Sequence, residues 1–353
     1  MARLDFANAK LGALRSRLWG RGELRELAVE RGRERVEAAT ALLARAADEP
    51  RRILSWVEGR RQKALLLAWL ALDDSRALRA ALRAISRGLT EAEVRAAAGA
   101  PLTCAARELE PLLRAHDLPA AAAALRELSG FAGRATRPLK LPGKRAEHLL
   151  PLERALSQRA FAEAALAARR AGGEDGRVLA AAVADEADLA NLAVLTEAVV
   201  APAAAAPSSI ALAPRFSRPL RVERRHARRA GAGGPVADLV PGGDLPVERL
   251  DSLAELPLAK RLPLLAALAE RRFGAGAGAV VSGEPGERDR LRQELPLRRL
   301  HRAARAAPSS LAVPLAYLAA ARAERGRVRL ALAGPGPGLP AARLADLLEG
   351  AHG

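Results

Sequence analysis

Apolar residues recur along this chain at three- and four-residue intervals almost from end to end, the spacing of helices that bury one face. Between Leu4 and about Ala47, charges fall on one side and Leu/Ala on the other. Pro50 marks an expected break, and one long helix is expected from about Arg52 to Ile85. "SRGLTEAEVRAAAGAP" then supplies a Gly stop at Gly88 and a capping-box start, Thr90 with Glu93 three residues on. Two more helices are expected near 102–115 and 118–130, and "SGFAGRATRPLKLPGKR" reads as a connector. A second set opens with "LLPLERALSQRAFAEAALAARR", breaks at "AGGEDG" and continues as "RVLAAAVADEADLANLAVLTEAVV". After Pro202 the pattern weakens. "RPLRVERRHARRAGAGGPVADLVPGGDLP" holds too many Gly, Pro and Arg for a regular core element and reads as a mobile basic segment, about 215–245. Periodicity returns in "LAKRLPLLAALAERRF", lapses in "GAGAGAVVSGEPGE", which reads as a flexible loop, and resumes from about Arg288.

The chain repeats itself. Asp74 precedes Leu78 by four residues and Gly88 by fourteen; Glu324 precedes Val328 by four and Gly338 by fourteen. In "DLANLAVL" Asp188 precedes Leu192 by the same four. An acid and an apolar residue at i and i+4 are common on helices, but a shared fourteen-residue offset ending in Gly-Leu is not. Three copies of one helical unit are expected, with limits at 1–145, 146–250 and 251–353.

Composition narrows the class. Half the residues are apolar, aromatics make up only 3%, and Ala and Leu fill the apolar share. These are strong helix formers, and the residues that favour strands are scarce, so an all-α protein is expected. The balance of 57 Lys and Arg against 40 Asp and Glu gives a net charge of +17, which favours anionic partners. The basic residues are interleaved with acids along nearly every helix, the pattern of paired, solvated faces.

Candidate catalytic chemistry is sparse. Cys104 stands alone, which excludes an internal disulfide and a cysteine-based zinc site, and "PLTCAARELEPLL" suits a buried thiol. His116, His148, His226, His301 and His352 share no metal-ligand spacing. "FGAGAGAVVSG" lacks the spacing and the Lys-Ser/Thr of a phosphate loop, and "APSSLAVP" offers a helix N-cap rather than a nucleophile elbow. Asp73 and Asp74 are adjacent on a helix and point about 100° apart, so joint acid–base work is not expected. "RRHARRAGAGG" and "RRLHRAAR" are basic enough for phosphate, but no aromatic stacking residue or groove-entering helix accompanies them. No cofactor is expected. The opening "MARLDFANAKLG" has no apolar core of a secretory signal and no stretch reads as a membrane span, so a cytoplasmic protein is expected.

Several segments, in order, resemble the family of C subunits of V-type and archaeal-type ATP synthases, counterparts of the d subunits of eukaryotic V-ATPases. Near the C-terminus stand Pro314, Leu315, Ala316 and Tyr317, then Glu324, Val328, Arg329 and Gly334, then Gly338, Leu339 and Pro340. "LDFANAKLGALRSRL" is similar to the family's opening, "DLANLAVL" to the Asp-x-x-Asn-Leu of its repeat helices through Asp188, Asn191 and Leu192, and "LERALSQRAFAEA" to its Leu-Glu…Phe helix. The chain departs from the pattern at Ala321-Arg322, where the family has Lys-Glu, and at Ala77 and Arg327, which take the place of the asparagine. The segments 215–245 and 274–288 fit poorly.

The resemblance implies three helical sub-domains related by a pseudo-threefold axis and forming a funnel. It implies a non-catalytic central-stalk adaptor that couples the shaft to the membrane rotor ring, peripheral to the membrane. Candidate contact residues are Arg79, Asn191, Arg327 and Arg329 on the repeat helices, with Lys10, Arg15 and Arg17 on the N-terminal basic helix. Anionic lipid headgroups are a further expected contact for the basic surface. The alternative reading is a basic helical scaffold that binds nucleic acid.

Overall fold

A computed structural model of the chain describes residues 5–15, 48–99, 103–104, 106–141, 148–197 and 238–333, with single positions at 18, 24, 37 and 344. The described residues are all-helical, without a strand among them. The helices are α1 (Asp5–Arg15), α2 (Arg60–Ser86), α3 (Glu91–Ala98), α4 (Ala106–Leu113), α5 (Leu118–Glu127), α6 (Gly130–Thr136), α7 (Leu149–Ala171), α8 (Gly173–Glu197), α9 (Val247–Ala254), α10 (Leu258–Phe273), α11 (Ala279–Ser282), α12 (Pro285–Ala306) and α13 (Ala312–Ala333). None of them is long and apolar enough to cross a membrane.

Local signals explain several of the boundaries. At the end of α2 the Leu89 N–H donates to Ala84 O (3.1 Å) and the Gly88 N–H to Ile85 O (3.0 Å), a closure that needs the left-handed φ of 69° at Gly88. Thr90 and Glu93 then exchange side-chain and backbone bonds, so the expected capping box starts α3. Asp117 accepts from the Ala120 N–H at 2.8 Å and starts α5.

Three expectations are corrected. Pro50 lies inside helical residues 48–56, and the break falls at 57–59, next to Gly59, so the helix expected from Arg52 to Ile85 is two pieces. The low-complexity stretch contains α11, because Ala277, Val280 and Val281 have a core to enter. Residues 238–245 of the expected mobile segment are held in place, with Leu239, Val240 and Leu245 buried; residues 215–237 lie outside the described residues.

The chain groups into two compact units, one of Met1–Trp69, Ala167–Asp185 and Ala266–Gly353, the other of Leu70–Leu166 and Glu186–Leu265. Their limits fall inside α2, α7, α8 and α10; of the limits expected from the sequence, 250 falls inside α9 and 145 outside the described residues.

In the first unit α13 packs on α12 and α1, and α12 on α11. Leu11, Ile53, Leu65, Trp69, Leu311, Leu315 and Val328 are almost wholly buried there. The start of α13 is tied down by Asp175, which accepts from the Leu311 N–H at 3.0 Å and from Gln62 at 3.1 Å. Ser310 adds the expected cap at "APSSLAVP", accepting from the Ala312 N–H at 3.2 Å. The Tyr317 hydroxyl donates to Glu49, and burial together with that carboxylate pushes the phenol well above its usual range.

The second unit packs α3, α4, α5 and α6 in sequence order, each on the next. Leu70, Leu78, Leu82, Leu112, Leu125, Leu156, Leu192 and Leu250 fill its core. Arg261 is fully buried, and its guanidinium donates to Leu256 O (2.8 Å) and to Leu195 O (2.9 Å). Both carbonyls lie at or just beyond helix C-termini, α9 and α8, where the backbone's negative ends favour a cation.

Candidate functional site at the repeat acids

Asp74, Asp188 and Glu324, the acids on which the expectation of three copies rests, are 3%, 0% and 5% exposed. The apolar residues four positions on, Leu78, Leu192 and Val328, are buried as deeply. A buried carboxylate must be hydrogen-bonded, so each of these acids has a structural job to identify.

Asp188, on α8, grips the segment before α9. Its Oδ1 accepts from the Leu245 N–H at 3.0 Å and its Oδ2 from the Asp244 N–H at 3.2 Å. One turn on, Asn191 Oδ1 accepts from the Val240 N–H at 2.7 Å while its Nδ2 donates to Val240 O at 3.1 Å. The amide thus reads one residue's backbone in both directions. The approach is close: a Cβ on Gly243 would collide with Asp188 Oδ1. A carboxylate at the amide groups leading into α9 also lies where the helix dipole favours negative charge.

Asp74, on α2, does related work before α4. Its Oδ2 accepts from both the backbone N–H and the hydroxyl of Thr103. Burial, and then the Asp74 charge, push the neighbouring Cys104 thiol up to about 11, so it stays protonated at neutral pH and is a buried packing group. Asp73 turns away from this site and pairs with Arg76 at 2.7 Å, as adjacent helix positions require. Glu324, on α13, lies among Tyr317 and its neighbours; the Gly338-Leu339-Pro340 that follows it lies outside the described residues.

The seven candidate contact residues divide between the two units. Arg79 and Asn191 belong to the second unit, and Lys10, Arg15, Arg17, Arg327 and Arg329 to the first. Asn191 is 2% exposed with its amide engaged by Val240, which makes it framework rather than contact surface. Arg327 is 7% exposed, its Nε donating to Ala323 O at 3.3 Å, and it too is framework. Arg79 is half-buried. Lys10 is exposed, with Nζ 5.0 Å from the centre of the Trp56 ring. Arg15 and Arg329 lie on α1 and α13 with side chains outside the described residues, and Arg17 is outside them altogether.

Sequence reasoning missed the Asp185 cluster. Asp185 is 2% exposed and pairs with Arg272 of α10 (2.7 Å) and with Arg299 of α12, pinning three helices of the first unit. It also missed the anchoring of 238–245 and the role of Gly243. The available signal was "LVPGGDL", whose apolar residues flank a turn, but its donors answer to a carboxylate 56 residues earlier. Among the described residues no group of three His, Cys, Asp or Glu side chains is placed to hold a metal ion. The repeat acids Asp74 and Asp188 accept backbone N–H groups, which is the chemistry of an anchor. No family model matches the chain, and no curated protein matches it.

Proposed function

We propose that this chain is the central-stalk adaptor of a V-type rotary ATPase or ATP synthase, a non-catalytic socket that couples the central shaft to the membrane rotor ring. In this reading the three copies form helical sub-domains around a pseudo-threefold axis, and the assembled funnel transmits torque for ion transport. The observation that carries it is the order of matched segments along the chain, from "LDFANAKLGALRSRL" through "DLANLAVL" to Pro314–Tyr317. The burial of Asp74, Asp188 and Glu324 at corresponding points supports the repeat on which that reading depends.

A torque-transmitting wall must resist shear, and buried carboxylates locking loops onto long helices suit that demand. The net charge of +17 suits a protein that sits near anionic headgroups or acidic partner surfaces, peripheral to the membrane. Association with the ring should then weaken as salt rises into the range of several hundred millimolar, because screened charges attract less.

The test is affinity purification of the tagged chain from its own cells in mild detergent at moderate salt, with mass spectrometry of the proteins that accompany it. Shaft, ring and catalytic subunits of a rotary ATPase in fixed ratio are expected. Nucleic acid in their place would overturn the adaptor reading in favour of the basic-scaffold alternative.

A further inference from the structure

Arg76, Arg79 and Arg83 follow one another along one side of α2, about a turn apart. The outer two are satisfied. Arg76 donates to Asp73 at 2.7 Å and also to Glu186. Arg83 donates through Nε and Nη2 to the two oxygens of Glu153, a fork-to-fork pair. Arg79, between them, is half-buried and makes no hydrogen bond or ion pair with any described residue, and its Nε is closed off from solvent. Burial, and after it the Arg76 charge, lower its pKa to about 10; Glu153 acts in the opposite direction and Arg83 in the same one.

A half-buried guanidinium whose Nε is closed off from water without an acceptor is unfavourable for the isolated chain. Such local conflicts, where the rest of the surroundings are satisfied, are where a chain's function is found. The surroundings also limit the ligand. Asp73, Glu153 and Glu186 balance the three arginines, so the patch offers no excess charge to a polyanion, and a phosphate dianion would face three carboxylates. What the patch leaves open is a single planar donor fork, whose match in shape and charge is one carboxylate.

We propose that Arg79 is the docking point for one Asp or Glu side chain of a partner protein in the assembly, which pairs with its guanidinium while Arg76 and Arg83 keep their own acids. The identity of the partner rests on the adaptor reading above; the chemistry of the contact is what is added here. The complex would supply the acceptor that the isolated chain lacks.

The test uses Arg79→Met, which keeps an apolar stem in the packing and removes the charge, and Arg79→Lys, which keeps the charge and loses the fork. Each tagged full-length chain is purified from its own cells across a salt series, and the co-purifying shaft and ring subunits are quantified; thermal midpoints of the isolated chains are measured alongside. R79M is expected to melt no lower than the wild type and to retain about tenfold less of the partner subunits, with R79K between. Replacement of the exposed Arg114 by Ala should leave retention unchanged. Equal retention by R79M and wild type would overturn the docking contact and leave the adaptor reading intact. A marked fall in the R79M midpoint would also overturn it, by showing the guanidinium to be structural. A wild-type chain that brings down no rotary ATPase component would sink the adaptor reading, and the docking contact with it.

Discussion

Asp74 and Asp188 stand at corresponding points of the sequence pattern, each four residues before a buried leucine, yet they hold their loops by different means. Asp74 accepts two bonds from one loop residue, the N–H and hydroxyl of Thr103. Asp188 takes two successive backbone N–H groups, from Asp244 and Leu245, and Asn191 adds a two-way grip on Val240. Where Asn191 stands in the second copy, three residues after the acid, the first has Ala77. The difference follows from donor geometry. A threonine carries a second donor on its own side chain, so one residue supplies both bonds. Two backbone donors reach one carboxylate only if the chain comes very near, and Gly243 makes room for that. Two buried acids with the same spacing to a buried leucine can therefore hold quite different loops.

The contrast between the two anchors is broken most forcefully at Asp188. Asp188→Ala leaves the buried Leu245 N–H without its acceptor and should cost about 4 kcal/mol, seen as a lowered urea midpoint. Hydrogen exchange at 239–245 should rise with it; unchanged protection there would contradict the anchor. Gly243→Ala forces its Cβ against Asp188 Oδ1 and should cost on the order of 3 kcal/mol, with the same exchange signature. A glycine-to-alanine change that proved neutral would show that the segment can shift without loss.

The Asp74 side should respond more gently. Thr103→Val removes the hydroxyl and keeps the backbone N–H, for an expected loss of about 1 kcal/mol. A loss as large as that of Asp188→Ala would mean the two anchors are not graded as their bonding suggests.

The smallest effect is expected at an exposed relative of these anchors. Glu108 accepts from the Ser129 hydroxyl (2.7 Å) and N–H (3.1 Å) just before α6. The hydroxyl bond first, and then the N–H bond, hold its pKa below the usual carboxylate range. A depressed carboxylate stabilises the fold above its unfolded pKa, and that contribution disappears as pH falls through the folded value. Glu108→Gln should lower the thermal midpoint slightly at neutral pH and not at all in strong acid. A gap between variant and wild type that persisted in acid would rule out the charge as its source.

Much of the local structure is legible in the residues. Gly88, Thr90 and Glu93 end one helix and start the next through bonds within a few residues, so their sequence pattern suffices. The same is true of the break at Gly172, where "AGGEDG" separates α7 from α8. The i,i+4 acid and apolar pairs also point correctly to buried helix faces. Asn191 and Arg327 show the limit of that reasoning. Both are polar residues on repeat helices, and only the groups packed against them decide that they face inward.

The residues 238–245 and 274–282 show the limit from the other side. Gly and Pro in such runs disfavour regular elements, and by composition alone the runs resemble loops. What holds them comes from elsewhere: Asp188 and Asn191 in one case, burial of Ala277, Val280 and Val281 in the other.

By itself, then, the sequence determined an all-helical protein, several helix ends, and the buried acids spaced four residues before an apolar partner, because propensity, capping and periodicity act over a few residues. Tertiary structure alone decided which backbone groups those acids capture, which arginines are paired, and that Arg79 is left without an acceptor among the described residues. Those outcomes depend on donors and acceptors brought together from positions dozens of residues apart, and no short-range pattern encodes that meeting.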